Sequence, residues 1–385
     1  MKRLVLAGGG HAHLSVLKAL AQAQPTDVEV VLITPSLFQN YSGMLPGWMS
    51  GHYAQTQCQI DLQALAQSAR ARLMLGLIVG IDAGQCCVRL SDGQHIDYDI
   101  LSMDIGSEID ASWLETAGER LLPVRPLDEF FKAWPGVLAA AKNKSNYRLV
   151  IVGGGAAGVE LAFAAQYALV QSQANGRVDL VASERGPLVG HAASVQRRVA
   201  RTMSRAKIVV HRLRGAGAKK GVLLSDGTLL PADCIIAATG ARAPCWLALS
   251  GLTLDESEYI AVDEHYRSTS HPDVFAVGDI CARQDMVVGR SGVHAVHAGP
   301  VLAKNLLAAL HGGAMQIYKP RRRSLYLLAC GRRYAIASWG NWSAEGKWVW
   351  HMKDWIDRRF IQKFSDPKQR HIDLSEKESN GEKRL

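Results

Sequence analysis

With 385 residues, 48% of them hydrophobic and 21% charged, the chain is long enough for two or three packed domains and too apolar for global disorder. No apolar run reaches the roughly 18 residues that a membrane-spanning helix needs, and Leu4–Ala7 behind Met1-Lys2-Arg3 is too short for a signal peptide. The net charge of +9 is local: residues 316–370 hold 13 Lys/Arg and 4 Asp/Glu, a difference of +9, so the remainder of the chain sums to zero.

In chain order, Leu4-Val5-Leu6-Ala7 predicts a buried parallel strand, residues 12–23 a helix and Val28–Ile33 a second strand. Short β-like runs follow at 73–81, 86–90 and 95–104. The opening unit then recurs about 145 residues later, as Leu149–Val152, a helix over 156–172 and a strand over 178–182. Further runs stand at 208–211, 222–224, 234–238 and 274–277, ahead of a helix over 293–311. Two strands, 325–330 and 333–338, precede a last helix near 344–364, and the polar tail 366–385 reads as disordered. The repeat of a βαβ unit points to an α/β chain with two doubly wound, mainly parallel, Rossmann-like domains and a small C-terminal strand-and-helix module.

Each βαβ unit opens on glycines. Gly153-Gly154-Gly155-Ala156-Ala157-Gly158 satisfies G-x-G-x-x-G, lies between strand and helix, and has an acid, Glu184, after the next strand. In such a turn the first glycine permits the bend and the second lets the backbone approach a pyrophosphate. The third lets the helix pack on the strand, and the phosphates rest on the helix N-terminus. The first unit, Gly8-Gly9-Gly10-His11-Ala12-His13, has His13 in the third place and Thr34-Pro35 where the acid would stand, with Thr34 or Ser36 as substitute hydrogen-bonders. His11 and His13 are open to two readings, a metal pair or a packing role near the turn. The seven cysteines (Cys58, Cys86, Cys87, Cys234, Cys245, Cys281 and Cys330) form no C-x-x-C pair and no zinc spacing, which fits buried thiols in the cytoplasm.

His271-Pro272-Asp273-Val274-Phe275-Ala276-Val277-Gly278-Asp279 resembles the second flavin motif of the pyridine-nucleotide-dependent flavoproteins. Ala238-Thr239-Gly240 is similar to the turn closing their NAD domain, and Asp104-Ile105-Gly106-Ser107 to a degenerate copy in the FAD domain. Within that family the chain resembles type II NADH dehydrogenases and sulfide:quinone oxidoreductases. It looks closest to the NADH-dehydrogenase-like module fused to selenide, water dikinase, through Gly8–His13, Tyr41–Gly47, Gly299–Ala303 and Trp348–Phe364. No kinase domain follows.

The resemblance implies FAD and NAD(P)H as cofactors, with hydride passing from nicotinamide to flavin. It places FAD against Gly8, Gly10, His11, Ala12, His13, Thr34, Pro35, Ser42, Val79, Gly106, Gly278, Asp279 and Gly292. It places NAD(P)H against Gly153, Gly155, Ala156, Gly158, Glu184 and Gly240. Glu160 stands where the family has a glutamate near the nicotinamide, and the bland alternative is an ordinary first-turn acid. His297, and His294 one turn before it, are candidate proton relays to a quinone, or else hydrogen-bonded core histidines. Residues Pro35–Pro46 would wall the flavin, and the helix from Gly292 would aim its positive end at the flavin's pyrimidine edge. The stretch 37–52 lacks the cysteine pair of the disulfide reductases. Cys281 and Cys330 alone are placed for sulfide chemistry.

The expected division is 1–115 and 251–315 for FAD, 116–250 for NAD(P)H, 316–365 for the C-terminal module and 366–385 for the tail. Within that module, Trp348, Met352, Trp355, Ile356, Phe360 and Phe364 recur at helical spacing, with Lys353, Asp357, Arg358 and Lys363 off the stripe. With Arg321-Arg322-Arg323 and Arg332-Arg333, residues 342–364 read as a surface for the inner face of a membrane, for a partner or a second copy, or for the body of the protein. The acceptor stays open between a quinone, a sulfide or polysulfide, and a selenium species. A non-catalytic FAD-binding module is the further alternative. No nucleic-acid partner and no metal are expected.

Overall fold

The structure is a computed structural model that describes residues 1–289, 292–321 and 323–365. Arg322 and the tail 366–385, both part of the sequence expectations, lie outside the described residues. Two five-stranded sheets, parallel throughout, organise the chain. The first runs in the order Val274–Ala276, Ile100–Met103, Lys2–Ala7, Val28–Thr34, Arg72–Leu75. The second runs Leu121–Pro123, Cys234–Ala237, Tyr147–Val152, Gly176–Ala182, Val209–Arg212. Strands such as Leu4–Ala7 and Leu149–Ile151 are apolar at every position because both faces of a parallel sheet are covered.

Each sheet is accompanied by a three-stranded antiparallel meander: Ile78–Asp82, Cys87–Leu90 and His95–Asp97 beside the first, Gly215–Ala218, Gly221–Leu224 and Leu229–Pro231 beside the second. This corrects two expected elements. The run 73–81 is two strands in different sheets, parted at Gly76, and 95–104 is likewise two, parted at Tyr98-Asp99. Apolar pattern alone does not tell a long strand from two short ones joined by a turn. The helices Leu127–Lys142 and Ala193–Arg205 add to those expected.

The helix His11–Ala23 packs along Gly292–His311. Gly299 allows this, since a Cβ there would stand 2.9 Å from the Ala12 carbonyl oxygen. The C-terminal module is a three-stranded antiparallel sheet, Tyr326–Ala329, Ala335–Trp339 and Trp342–Gly346, followed by the helix Lys347–Phe364. The third strand takes the first residues expected for that helix. Glu345 anchors the module to the second sheet's layer by accepting from Arg198 (2.6 Å) and from Arg201.

The helix also departs from the expected stripe. Its inward face is Val349, Trp350, Lys353, Asp357, Ile361 and Phe364, whereas Trp348, Trp355 and Ile356 are exposed. The side turned to the protein is therefore charged at its centre, and the apolar residues are divided between the two faces.

Candidate active site

The two glycine turns are built alike. Gly8 (φ +94°) leaves the strand Lys2–Ala7, and Gly153 (φ +134°) leaves Tyr147–Val152, both in the region that only glycine enters without strain. A Cβ on Gly153 would lie 2.0 Å from the Ala238 carbonyl oxygen, and one on Gly8 2.5 Å from that of Asp104. Ala238 and Asp104 thus hold equivalent places, each just past the strand beside its turn.

The third position differs. A Cβ on Gly158 would stand 1.9 Å from the Gly153 carbonyl oxygen, so nothing larger than glycine fits. In the first turn His13 is buried there, with Nδ1 2.6 Å from the Gly8 carbonyl oxygen and Nε2 2.8 Å from Ser102 Oγ. A carbonyl only accepts, so Nδ1 carries the proton and Nε2 accepts from the Ser102 hydroxyl. Burial brings the ring down to about 4, against the weaker pull of its bond to Gly8, and it stays neutral. Two hydrogen bonds replace the close packing of the missing glycine. Both ring nitrogens are committed, which rules His13 out of a metal pair with His11.

His11 turns the other way, its ring 5.6 Å from Tyr41 and 5.8 Å from Phe360, centroid to centroid. Its Nε2 is buried without a hydrogen-bond partner, and so is Oδ1 of Asp279, the residue after Gly278 (φ +77°). The other oxygen of Asp279 pairs with Arg125 at 3.2 Å, and Arg125 also donates to Ser107 Oγ at 3.0 Å. Two orphaned polar atoms, each costing about 1–3 kcal/mol when left bare, flank a turn floored by glycines. That set suits the hydroxyls and phosphates of a dinucleotide.

The remaining first-site residues lie as follows. Thr34 is buried and donates to the Ser36 carbonyl at 3.1 Å, and Pro35 beside it is exposed. Ser42 faces Gly292 across 4.0 Å to where a Cβ would be, at the start of the helix Gly292–His311. Gly106 (φ +74°) adjoins Arg125. Val79 stands half-exposed on the meander. Ala12 and His13 both donate their amides to Asp104 Oδ2, at 2.7 and 3.1 Å.

At the second turn Gly155 has open space where a Cβ would be, and the helix Ala156–Gln171 begins there without a side-chain cap. An N-terminus without a side-chain cap is an arrangement that suits a phosphate. Glu184 and Arg185 are exposed just beyond the strand Gly176–Ala182. Gly240, also exposed, accepts from the Asp110 amide at 3.1 Å where the chain crosses between the two sheets.

Glu160, one turn into that helix, is no ordinary surface acid. It is half-buried, and Oε1 accepts from the Ala329 amide of the C-terminal module at 2.8 Å. Burial pushes its carboxyl up to about 7 against the pull of Lys353 and the Ala329 amide. Lys353 Nζ donates to the Gly43 carbonyl (2.8 Å) and to Asp357 Oδ2 (2.9 Å), and the Tyr41 hydroxyl donates to Asp357 Oδ1 (3.1 Å). Burial works against the Lys353 ammonium, yet Asp357 and Glu160 hold it above its ordinary value. One helix of the second sheet, the Tyr41–Gly43 turn and the last helix thus converge on one buried charge cluster. Sequence reasoning missed Lys353, Asp357, Tyr41 and Arg125. The i, i+4 pairing of Lys353 and Asp357 inside an aromatic helix was the available signal.

His294 and His297 are not part of this cluster. His294 is held below the usual histidine range by burial and by His297. His297 is exposed, and its Nδ1 donates to the Val293 carbonyl at 2.9 Å, so it is no core residue. Burial, then Glu160 and Glu345, keep the Cys330 thiol well above its ordinary value, which makes it a poor nucleophile.

Two parallel sheets, each ending in a dinucleotide turn, with a third module closing on both, define a flavin-linked nicotinamide oxidoreductase. The chain belongs to the pyridine nucleotide-disulphide oxidoreductase family, whose model matches residues 2–301. Its cofactors are FAD and NAD(P)H. It is 23% identical over 292 residues to the NADH dehydrogenase-like protein YutJ of Bacillus subtilis (strain 168), covering 73% of this chain and 77% of that one. Among solved structures, the sulfide:quinone oxidoreductase of Aquifex aeolicus superposes with a TM-score of 0.77 at 16% identity, covering 94% and 91%. A putidaredoxin reductase in covalent complex with putidaredoxin superposes with a TM-score of 0.71 at 21% identity, covering 88% and 81%. The likeness to the module fused to selenide, water dikinase rests on the sequence stretches alone.

Proposed function

We propose that this chain oxidises NAD(P)H and passes the electrons through FAD to a quinone held at a membrane surface. When bound, the two cofactors supply the hydride transfer itself. The glycine turns hold the two pyrophosphates, with Asp279 and Arg125 on the FAD side. Glu160 lies at the junction of the NAD(P)H layer and the C-terminal module, where it orients the nicotinamide. Near neutral pH it exchanges a proton with its surroundings, and Lys353 and Asp357 set how readily it does so.

The observation that carries the quinone reading is the two-faced last helix. Its inward side reaches the charge cluster, while Trp348 (54% exposed) and Trp355 (60%) stand outward beside Ile356. Trp339 and Trp342, paired across the adjacent hairpin end, are also exposed. Arg359 lies over the Trp355 ring, 5.2 Å from its centroid. Tryptophan with basic neighbours is what a membrane interface takes. No helix among the described residues is long and apolar enough to cross a membrane, so attachment would be from one side.

Flotation with anionic vesicles, together with NADH-driven reduction of a short-chain quinone, tests this. Absence of both vesicle binding and quinone turnover would overturn it. The +9 charge gathered in residues 316–370 favours one second reading, a small acidic electron-carrier protein as acceptor. Salt-sensitive turnover with such a carrier, and none with quinone, would select it.

A further inference from the structure

We propose that Asp104 grips the FAD pyrophosphate as a neutral carboxyl group, Oδ2 accepting from the Ala12 and His13 amides and Oδ1 donating its proton to a phosphate oxygen. The inference rests on FAD binding and stands whatever acceptor takes the electrons.

The comparison of the two glycine turns carries it. In the NAD(P)H turn the residue at the strand end is Ala238, and the helix amides face the pyrophosphate with no side chain between. In the FAD turn the equivalent residue is Asp104, and its carboxyl group already occupies the amides of Ala12 and His13. An anion in that place would repel the pyrophosphate from the positive end of the helix. A carboxylic acid does the opposite, because it relays the pull of the amides outward through its own O–H.

Oδ1 is placed for this. A Cβ on Gly10 would lie 2.5 Å from it and one on Gly278 3.0 Å, so it sits between the phosphate turn and the turn carrying Asp279. Two glycines make room for one carboxyl oxygen. Among the described residues no hydrogen bond reaches Oδ1.

The surrounding charges favour the neutral form. On its own helix side, His11 and His13 are both brought down to about 4, chiefly by burial, and carry no charge. From the flavin turn Asp279 faces Asp104 as a second carboxylate, and Arg125, between the strand Leu121–Pro123 and the helix Leu127–Lys142, pairs with Asp279. His294, on the helix behind, is held below the usual histidine range. Asp104 thus has no cation of its own, and burial carries it up to about 7 against the His13 and Ala12 amides, with Asp279 adding to the rise. Two phosphate charges alongside would raise it further.

The test is FAD retention, read as the flavin fluorescence released when holoprotein is diluted, from about pH 6 to about pH 9. For one linked proton, FAD affinity falls about tenfold per pH unit above the Asp104 pKa of the FAD-free protein. D104N keeps both an acceptor and a fixed donor, so it should hold FAD at alkaline pH with no slope. D104A, which copies Ala238, should release FAD more readily than wild type at pH 6. In an infrared difference spectrum of holoprotein minus D104N, where the Glu160 carboxyl common to both cancels, the carbonyl band of one buried carboxylic acid should remain, which reads the Asp104 proton without regard to affinity. Retention independent of pH with no such band, or tighter FAD binding by D104A than by wild type, would overturn the proposal. A wild type that binds no FAD at any pH would overturn the flavin site itself, a different failure.

Discussion

Replacing Lys353 by methionine isolates the buried charge cluster. Methionine keeps the length of the stem and removes the ammonium. In the wild type that ammonium binds Asp357 at 2.9 Å and the Gly43 carbonyl at 2.8 Å, with side-chain exposures of 13% for Lys353 and 5% for Asp357. Removing one partner of a buried pair costs about 3–5 kcal/mol, mostly from the charge left behind. Here the remaining charges are carboxylates that burial already pushes up, Asp357 and Glu160, and both lose a cation that held them down. They escape by keeping their protons.

The sign follows. Folded K353M binds more protons than its unfolded chain from the ordinary carboxylate range upward, so its stability falls as pH rises. The deficit relative to wild type should be small near pH 5 and reach about 3–5 kcal/mol near pH 8. Urea denaturation followed by tryptophan fluorescence at both pH values measures it, and Trp350 on the same helix reports the module. K353M/D357L should recover most of the loss, because an apolar pair fills the same space without a buried charge. A loss below about 1 kcal/mol that does not change with pH would refute the reasoning, since it would mean the pair behaves as a solvated one.

Four further outcomes are expected. Gly158→Ala forces a Cβ to 1.9 Å from the Gly153 carbonyl oxygen, so NADH should no longer bleach the flavin at ordinary concentrations while FAD stays bound. His13→Ala strands the Ser102 hydroxyl and the Gly8 carbonyl, and should lower stability by about 1–3 kcal/mol in urea melts. Glu160→Gln should flatten the pH dependence of flavin reduction by NADH near pH 7, where the wild-type carboxyl titrates, and stopped-flow absorbance would follow it. Trp348→Ser with Trp355→Ser should weaken vesicle flotation at least tenfold and leave turnover with a soluble quinone unchanged.

The sequence by itself determined the opening βαβ unit of each of the two sheets. Leu4–Ala7 and Leu149–Val152 are apolar at every position, and each runs into a glycine, Gly8 or Gly153, at a positive φ that other residues enter only with strain. Local pattern and local strain suffice for that, because a parallel strand and its turn are specified by neighbours in the chain. The strands Val274–Ala276 and Cys234–Ala237 were legible for the same reason.

Tertiary structure alone decided what the departures from pattern mean. His13 in a glycine's place reads as a defect until Ser102, 89 residues later, is seen beside it. Asp104 reads as a degraded motif until its carboxyl is found on the amides of Ala12 and His13. Lys353 and Asp357 read as the polar edge of an apolar stripe. Their partners beyond the helix are Gly43 and Tyr41, about 310 residues away, and the helix turns the pair inward together with Val349, Trp350, Ile361 and Phe364. A buried polar group must find a partner wherever the fold brings one, and that partner leaves no mark at a fixed distance along the chain.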